Sequence, residues 1–155
     1  MRIRAKLSNK YIQFMYQVFL PVLIGGSLYV TFRSKTIRLF DWLERIGLEE
    51  ILHGFRSIII PYKKDIPSWI YYSLPDGLWV YAFASALIIY WNQEIEKVKY
   101  WLLVPIVSGT FLEIAQGLNL LQGTFDFLDL AFTILPLILS VTINYNFKQN
   151  DEQVF

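Results

Sequence analysis

The chain has 155 residues, of which 55% are hydrophobic, 17% aromatic and only 17% charged. Soluble domains usually carry about 25% charged residues, so this composition, with a mean hydropathy of +0.39, leaves too little polar surface to cover a water-soluble core. The net charge of +1, without a basic stripe beyond the first ten residues, gives no reason to expect nucleic acid as a partner. There is no cysteine and a single histidine, His53, which argues against disulfides, thiolate or histidine metal sites and a Ser-His-Asp triad.

The first apolar segment covers residues 11–32 and contains no charge. It is long enough to cross a hydrocarbon core, which takes about 20 helical residues. A basic tail with Arg2, Arg4, Lys6 and Lys10 precedes it, as in a signal peptide, but the apolar run is longer than the ~7–15 residues of a cleaved signal. We therefore expect an uncleaved membrane anchor.

Residues 33–66 form a mixed segment after this anchor. Apolar residues such as Leu48, Leu52 and Phe55 recur at helical spacing, while Glu49, Glu50, His53 and Arg56 take the other face. This pattern predicts one or two amphipathic helices lying in the membrane interface. A helix packed over the ends of the bundle is the alternative that the pattern leaves open.

Three further apolar segments follow, at about 70–91, 100–121 and 126–147. Tyrosines and tryptophans gather near their ends, where amphipathic rings favour the headgroup level. The predicted fold class is thus all-α: one polytopic membrane domain over residues 1–155, with four transmembrane helices and an interfacial amphipathic segment.

Lysine and arginine in the flanking segments predict the orientation. The N-terminal tail, the loop at 94–99 and the C-terminal tail all contain them, whereas the loop at 118–125 contains none. Basic segments stay cytoplasmic, and four spans place these three on one side. We therefore predict a multi-pass protein of the cell membrane with both termini in the cytoplasm.

Acidic residues within the predicted spans indicate a candidate site. In this topology they all lie toward the outer ends of the second, third and fourth spans. A charge at mid-bilayer costs at least about 2.5–3.5 kcal/mol, so such side chains should face a neighbouring helix or a wet cavity. Helical spacing adds two uncharged residues to the acidic faces. The predicted binding residues are Asp76, Glu113, Gln116, Asp126, Asp129 and Thr133.

Capping is the structural alternative for two of these acids. Asp126 and Asp76 both stand at the predicted start of a helix, where a carboxylate accepts free backbone N–H groups. Glu113 lies within an apolar run and has no such helix end to cap in the sequence, so we expect it to carry most of the function. Hard cations need more oxygen ligands than can be assigned here, and we predict no metal and no cofactor.

Three short motifs carry a resemblance to a known family. Residues 73–79 read SLPDGLW, Glu113 and Gln116 form an E-x-x-Q pair, and residues 123–129 read GTFDFLD. In order and spacing the chain resembles the VanZ-like integral membrane family over roughly residues 70–145. That family has about four spans with Asp-Lys-x-x-His, Glu-x-x-Gln and Arg-x-x-Asp-x-x-Asp-x-x-x-Asn motifs, and is associated with glycopeptide resistance and the cell envelope.

The chain departs from the family at its basic positions. The family's lysine falls at Gly77, its histidine at Trp79 or a neighbour, its arginine at Gly123 and its asparagine at Thr133. Chemistry that requires the arginine or histidine does not carry over, so the resemblance implies a degenerate member.

Three function classes follow from these observations. The first is a VanZ-like envelope protein whose acidic pocket binds a polar or cationic headgroup, or a lipid-linked precursor, at the outer leaflet. The second is a non-catalytic subunit or scaffold of a membrane complex. The third is a membrane enzyme in which Glu113 or an aspartate acts as general base. The expected partners are membrane lipids, with other membrane proteins or a homo-oligomer as further candidates.

Overall fold

The computed structural model describes residues 9–33, 38–121 and 125–153, and these ranges contain helices and turns but no strand. Seven α-helices and one short 3₁₀ helix follow in chain order: α1 Asn9–Phe32, α2 Arg38–Arg45, α3 Glu49–Ile59, the 3₁₀ helix Ile60–Asp65, α4 Ser68–Tyr72, α5 Leu74–Tyr90, α6 Ile95–Gly117 and α7 Phe127–Gln153. The predicted all-α class is confirmed.

Three of these helices are long and apolar enough to cross a membrane. They are Asn9–Phe32, Ile95–Gly117 and the part of α7 from Phe127 to Gln149. Helix α5, which corresponds to the predicted span at 70–91, has 17 residues and is shorter than the usual length of about 20. A membrane-embedded helical protein is thus supported, while the count of four spans stays a prediction.

The boundary between α4 and α5 explains why α5 is short. Pro75 has no backbone N–H and restricts the residue before it, so the predicted helix from residue 70 is interrupted at Ser73. The backbone bonds continue through the interruption, because Ser73 donates to Trp69 O and accepts from the Gly77 N–H, both at 3.1 Å. Ser73 itself keeps right-handed helical dihedral angles, φ −93° and ψ −36°, so the backbone remains hydrogen-bonded from α4 into α5.

Helix α5 lies at the centre of the bundle and packs against α1 and α7, while α6 packs mainly against α7. Glycines permit the closest approaches. A Cβ at Gly77 would lie 2.9 Å from the Phe132 carbonyl oxygen, and one at Gly25 would lie 2.9 Å from Trp79 Nε1. The apolar core consists of Ala84, Ile88, Val98, Leu102 and Leu137.

A buried set of uncharged polar side chains joins α1, α5 and α7. Asn144 accepts a hydrogen bond from Gln13 Nε2 and donates to Gln17 Oε1, both at 2.8 Å. One turn away, the hydroxyls of Ser85 and Ser140 are 2.8 Å apart. All five side chains are buried, and we call them the Asn144 network. Part of α1, Met15–Phe19, is π-helical, and this wide turn contains Gln17.

Residue Arg56 attaches the segment of α2 and α3 to the end of α1. The sequence placed Arg56 on a polar face, but the side chain is buried. Its guanidinium donates to Val30 O at 2.5 Å and to Arg33 O at 2.9 Å. The last carbonyls of a helix lack partners within it and favour a cation, which explains why Arg56 is buried against the end of α1. The apolar Ile51 and Ile58 remain 69% and 68% exposed, and an interfacial location for this segment stays a prediction.

Candidate functional site

A cavity of about 710 Å³ lies between the end of α1, the start of α5, the end of α6 and the start of α7. Arg33, Tyr72, Trp79, Ser108 and Gly109 contribute to its wall, and we call it the Arg33 cavity. The six side chains predicted from the sequence all line it: Asp76, Glu113, Gln116, Asp126, Asp129 and Thr133. The structure therefore brings the predicted residues together, and their role in binding stays a prediction.

Glu113 is the most buried acid of the cavity, with 6% of its surface exposed. Its Oε2 accepts the backbone N–H of Asp126 at 2.9 Å. The expectation that Glu113 has no helix end to serve is therefore wrong. The first N–H groups of α7 have no acceptor within their own helix, and a carboxylate across the loop from α6 supplies one and complements the helix dipole.

Asp126 and Asp76, the two candidate caps, behave differently. Asp126 Oδ1 accepts the Leu128 N–H at 2.8 Å, so Asp126 caps α7. Asp76 lies inside the first turn of α5, and the residue before that helix, Ser73, makes no side-chain cap bond. The Asp76 side chain instead lines the cavity together with Arg33 and Asp129.

The contact between α6 and α7 sets the depth of the cavity. Thr133 Oγ1 donates to the Asp129 carbonyl at 2.9 Å, which holds the hydroxyl against its own helix. A Cβ at Gly109 would lie 3.1 Å from this hydroxyl oxygen. Because glycine occupies position 109, α6 approaches α7 closely below the acids.

Arg33 is the residue that the sequence-based selection missed. Its Cζ lies 5.3 Å from the Tyr29 ring centroid and 5.4 Å from that of Tyr72, so the guanidinium rests between two aromatic rings. A signal was present in the sequence. Arg33 is the first charge after the first span, and in the predicted topology that position lies at the same membrane depth as the acids.

The cavity offers recognition by charge and hydrogen bonds. Its volume falls in the usual range of ligand pockets, about 300–1,000 Å³. Its wall combines one guanidinium with four carboxyl groups, one amide, three hydroxyls and aromatic rings. Across the described ranges, no group of three or more histidine, cysteine, aspartate or glutamate side chains is arranged to hold a metal ion.

Comparison with known proteins gives no match: no protein-family model, no curated protein and no solved structure matches this chain. The VanZ-like resemblance consequently rests on the short motifs alone. Among the divergent positions, Trp79 lines the cavity and Gly77 packs against Phe132, while Gly123 lies outside the described residues.

Proposed function

We propose that the chain is a VanZ-like cell-envelope membrane protein whose Arg33 cavity binds a polar or cationic headgroup, or a lipid-linked precursor, in the outer leaflet. The observation that carries the proposal is the gathering of four carboxyl groups from three different helices around one cavity, together with Gln116 and Thr133. Charges within apolar helices are costly and in general mark binding sites or ion pathways.

The electrostatics of the cavity favour a cationic group. Four carboxyl groups face one guanidinium, so ionised acids leave an excess of negative charge there. Hydrogen bonds from Asp126 N–H and Leu128 N–H stabilise two of the carboxylates, and a bound cation would offset the remaining repulsion.

The proposal includes four spans, with α5 crossing the bilayer and both termini in the cytoplasm. Support comes from the near-continuous path from α4 into α5, which adds length on the side of the cavity. With α5 as a span, the Arg33 cavity lies at the outer ends of the helices. The Asn144 network then lies toward the cytoplasm.

Single-cysteine labelling tests this topology, because the natural chain has no cysteine. The exposed positions Lys64, Leu120 and Gln149 are each changed to cysteine and treated with an impermeant thiol reagent in intact cells. We expect labelling at 64 and 120 and protection at 149. If α5 did not cross, 120 would be protected and 149 labelled.

Lipid retention tests the binding function. The protein is purified in mild detergent, and the lipids that remain bound are quantified by native mass spectrometry. Glu113→Gln should lower the retained lipid several-fold. Glu96→Gln is the matched control, because Glu96 is on the same helix at the opposite end and pairs with Lys99 at 2.7 Å. Equal retention by both variants would refute the proposal.

The alternative is a non-catalytic subunit of a membrane complex. The exposed apolar side chains of α2 and α3, including Trp42, Ile51 and Ile58, favour it as a surface for a second protein. The same purification separates the two functions. A protein partner at fixed stoichiometry, retained by Glu113→Gln and lost in Ile51→Ser, would support the subunit.

A further inference from the structure

Two aromatic rings restrain the Arg33 side chain. Its Cζ lies 5.3 Å from the Tyr29 ring centroid and 5.4 Å from that of Tyr72, while Arg56 Nη2 donates to the backbone carbonyl of Arg33 at 2.9 Å and so restrains the main chain at this residue. A side chain restrained in this way loses little further conformational entropy when it binds a ligand. Arg33 is thus oriented before any ligand arrives.

The hydrogen-bonding groups of Arg33 are not used by the acids nearby. Among the residues that the structure describes, Arg33 forms no ion pair with a carboxylate, although four carboxyl groups line the same cavity. Its Nε is buried without an acceptor there and is closed to an incoming ligand, so the two Nη groups are the donors that a ligand would use. A planar guanidinium with free donors suits a phosphate, which it can bind through two parallel hydrogen bonds.

The aspartates of the cavity wall are likewise without cationic partners. Asp76 and Asp129 both line the cavity, and in the described ranges neither has a cationic group within ion-pair distance. A primary ammonium group donates three hydrogen bonds, which matches several carboxylate acceptors. A quaternary ammonium group donates no hydrogen bonds, so these carboxylates would bind it less strongly.

We infer that the ligand of the Arg33 cavity carries both charges, as a phosphoethanolamine group whose phosphate binds Arg33 and whose ammonium lies between Asp76 and Asp129. This inference rests on the proposed function and names the headgroup class. The same chemistry occurs in a membrane phospholipid and in soluble phosphoethanolamine, and a cavity of about 710 Å³ has room for either.

The test uses the full chain in phosphatidylcholine nanodiscs containing one of three additional lipids. These are phosphatidylethanolamine, phosphatidylglycerol, which has the phosphate without the amine, and a long-chain primary amine without phosphate. Native mass spectrometry measures what each protein retains. The natural chain should prefer phosphatidylethanolamine over both others by about tenfold, the effect of one charge-assisted hydrogen bond.

Two variants separate the two charges. Arg33→Gln should reduce phosphatidylethanolamine retention to the level of the long-chain amine, and retention of the amine should not fall, because a positive charge has been removed. Asp129→Asn should reduce it to the level of phosphatidylglycerol. Arg45→Gln, an exposed arginine of α2, is the control and should match the natural chain. If Arg33→Gln does not fold, Arg33→Lys keeps the charge and should lower the preference about threefold.

The outcomes distinguish this inference from the function on which it rests. If both Arg33 variants retain phosphatidylethanolamine as well as the natural chain while Glu113→Gln loses it, the assignment to Arg33 is overturned and the binding function stands. If Glu113→Gln and Asp129→Asn also leave every lipid unchanged, both are overturned. If soluble phosphoethanolamine displaces the bound phosphatidylethanolamine, the headgroup alone is sufficient for binding. If it does not, the acyl chains contribute to binding.

Discussion

The Asn144 network and the Arg33 cavity contain polar side chains of the same bundle, at opposite ends, and they differ in how those side chains are satisfied. In the network, amides and hydroxyls bond to each other at 2.8 Å and are buried. In the cavity, acids and an arginine surround open volume, and those that are bonded use backbone N–H groups rather than one another.

The difference separates structural from functional polarity. Neutral side chains that pair among themselves can join helices permanently without a ligand, although in the network the buried Gln17 Nε2 has no partner among the described residues. Charged side chains that do not pair across a cavity have lost part of their hydration without gaining a partner. A ligand of opposite charge, or one that carries both charges, can offset this cost. Burial alone does not distinguish the two, since Glu113 and Asn144 are both buried.

The largest effect is expected at the centre of the network. Asn144→Leu removes the acceptor of Gln13 Nε2 and the donor to Gln17 Oε1 and leaves both amides buried, although Gln93 still donates to Gln13 Oε1 at 3.0 Å. The free energy of unfolding should fall by about 2–3 kcal/mol, because each unsatisfied buried group costs about 1–3 kcal/mol and interhelical bonds in membranes are weaker on average. Thermal unfolding in detergent measures this.

Asn146→Leu, at an exposed position of the same helix, is the control for that substitution and should change stability by less than about 0.5 kcal/mol. Equal effects of the two variants would show that the network contributes nothing specific. Lipid retention should be unchanged by either in protein that remains folded.

The next effect concerns the packing of α5 on α7 beside the cavity. Gly77→Ala places a methyl group 2.9 Å from the Phe132 carbonyl oxygen, and backbone must move to admit it. We expect a loss of about 2 kcal/mol, as for other overpacked sites. Gly26→Ala, where nothing lies within 4 Å of the added carbon, should instead be neutral or slightly stabilising in the same unfolding assay.

Glu113 tests whether one residue can have both a structural and a functional role. Glu113→Gln keeps an oxygen that can accept the Asp126 N–H, so unfolding should change by under about 0.5 kcal/mol while lipid retention falls. Glu113→Leu loses the acceptor and should cost about 1.5 kcal/mol as well as retention. Paired measurements of melting and retained lipid would show the separation.

The smallest effect is expected at the cap of α7. Asp126→Ala should cost about 1 kcal/mol and Asp126→Asn only a few tenths, since asparagine also caps. Unfolding measurements on the two variants check the order. If Asp126→Ala strongly reduced stability and lipid retention while Glu113→Leu changed neither, the functional residues would lie in 118–126 and not in α6.

The positions of the apolar helices could be predicted because runs without charge are visible in the sequence. Their ends could be predicted only in part. Helix α1 ends at the predicted residue 32, but α6 begins at Ile95, before the predicted residue 100, and the Glu96–Lys99 pair lies along its first turn. It ends at Gly117 because Asn119 adopts a left-handed conformation with φ 57°, which closes a helix.

The candidate site could be predicted as a set of acids on facing helices but not as a cavity with two signs of charge. Helical spacing relates residues within one helix, whereas Arg33 meets Tyr72 and shares a cavity with Asp76 only through tertiary packing. Arg56 shows the same limit, because its partners are backbone carbonyls that no side-chain pattern indicates. The Asn144 network lacks charge, and so an examination of charges within spans does not reveal it.

The π-helical turn at Met15–Phe19 makes the length of α1 matter more than its composition. A π turn contains one residue more than the α turn it replaces, and each residue of an α-helix turns the chain by about 100°. Deleting one residue of this turn would therefore restore an α turn and keep the two parts of α1 in register, whereas deleting one residue between the turn and Gly25 would rotate Gln13 by about 100° relative to Gly25. Over evolutionary time, therefore, this helix should accept many exchanges of one apolar residue for another, and changes of its length should be confined to the π turn.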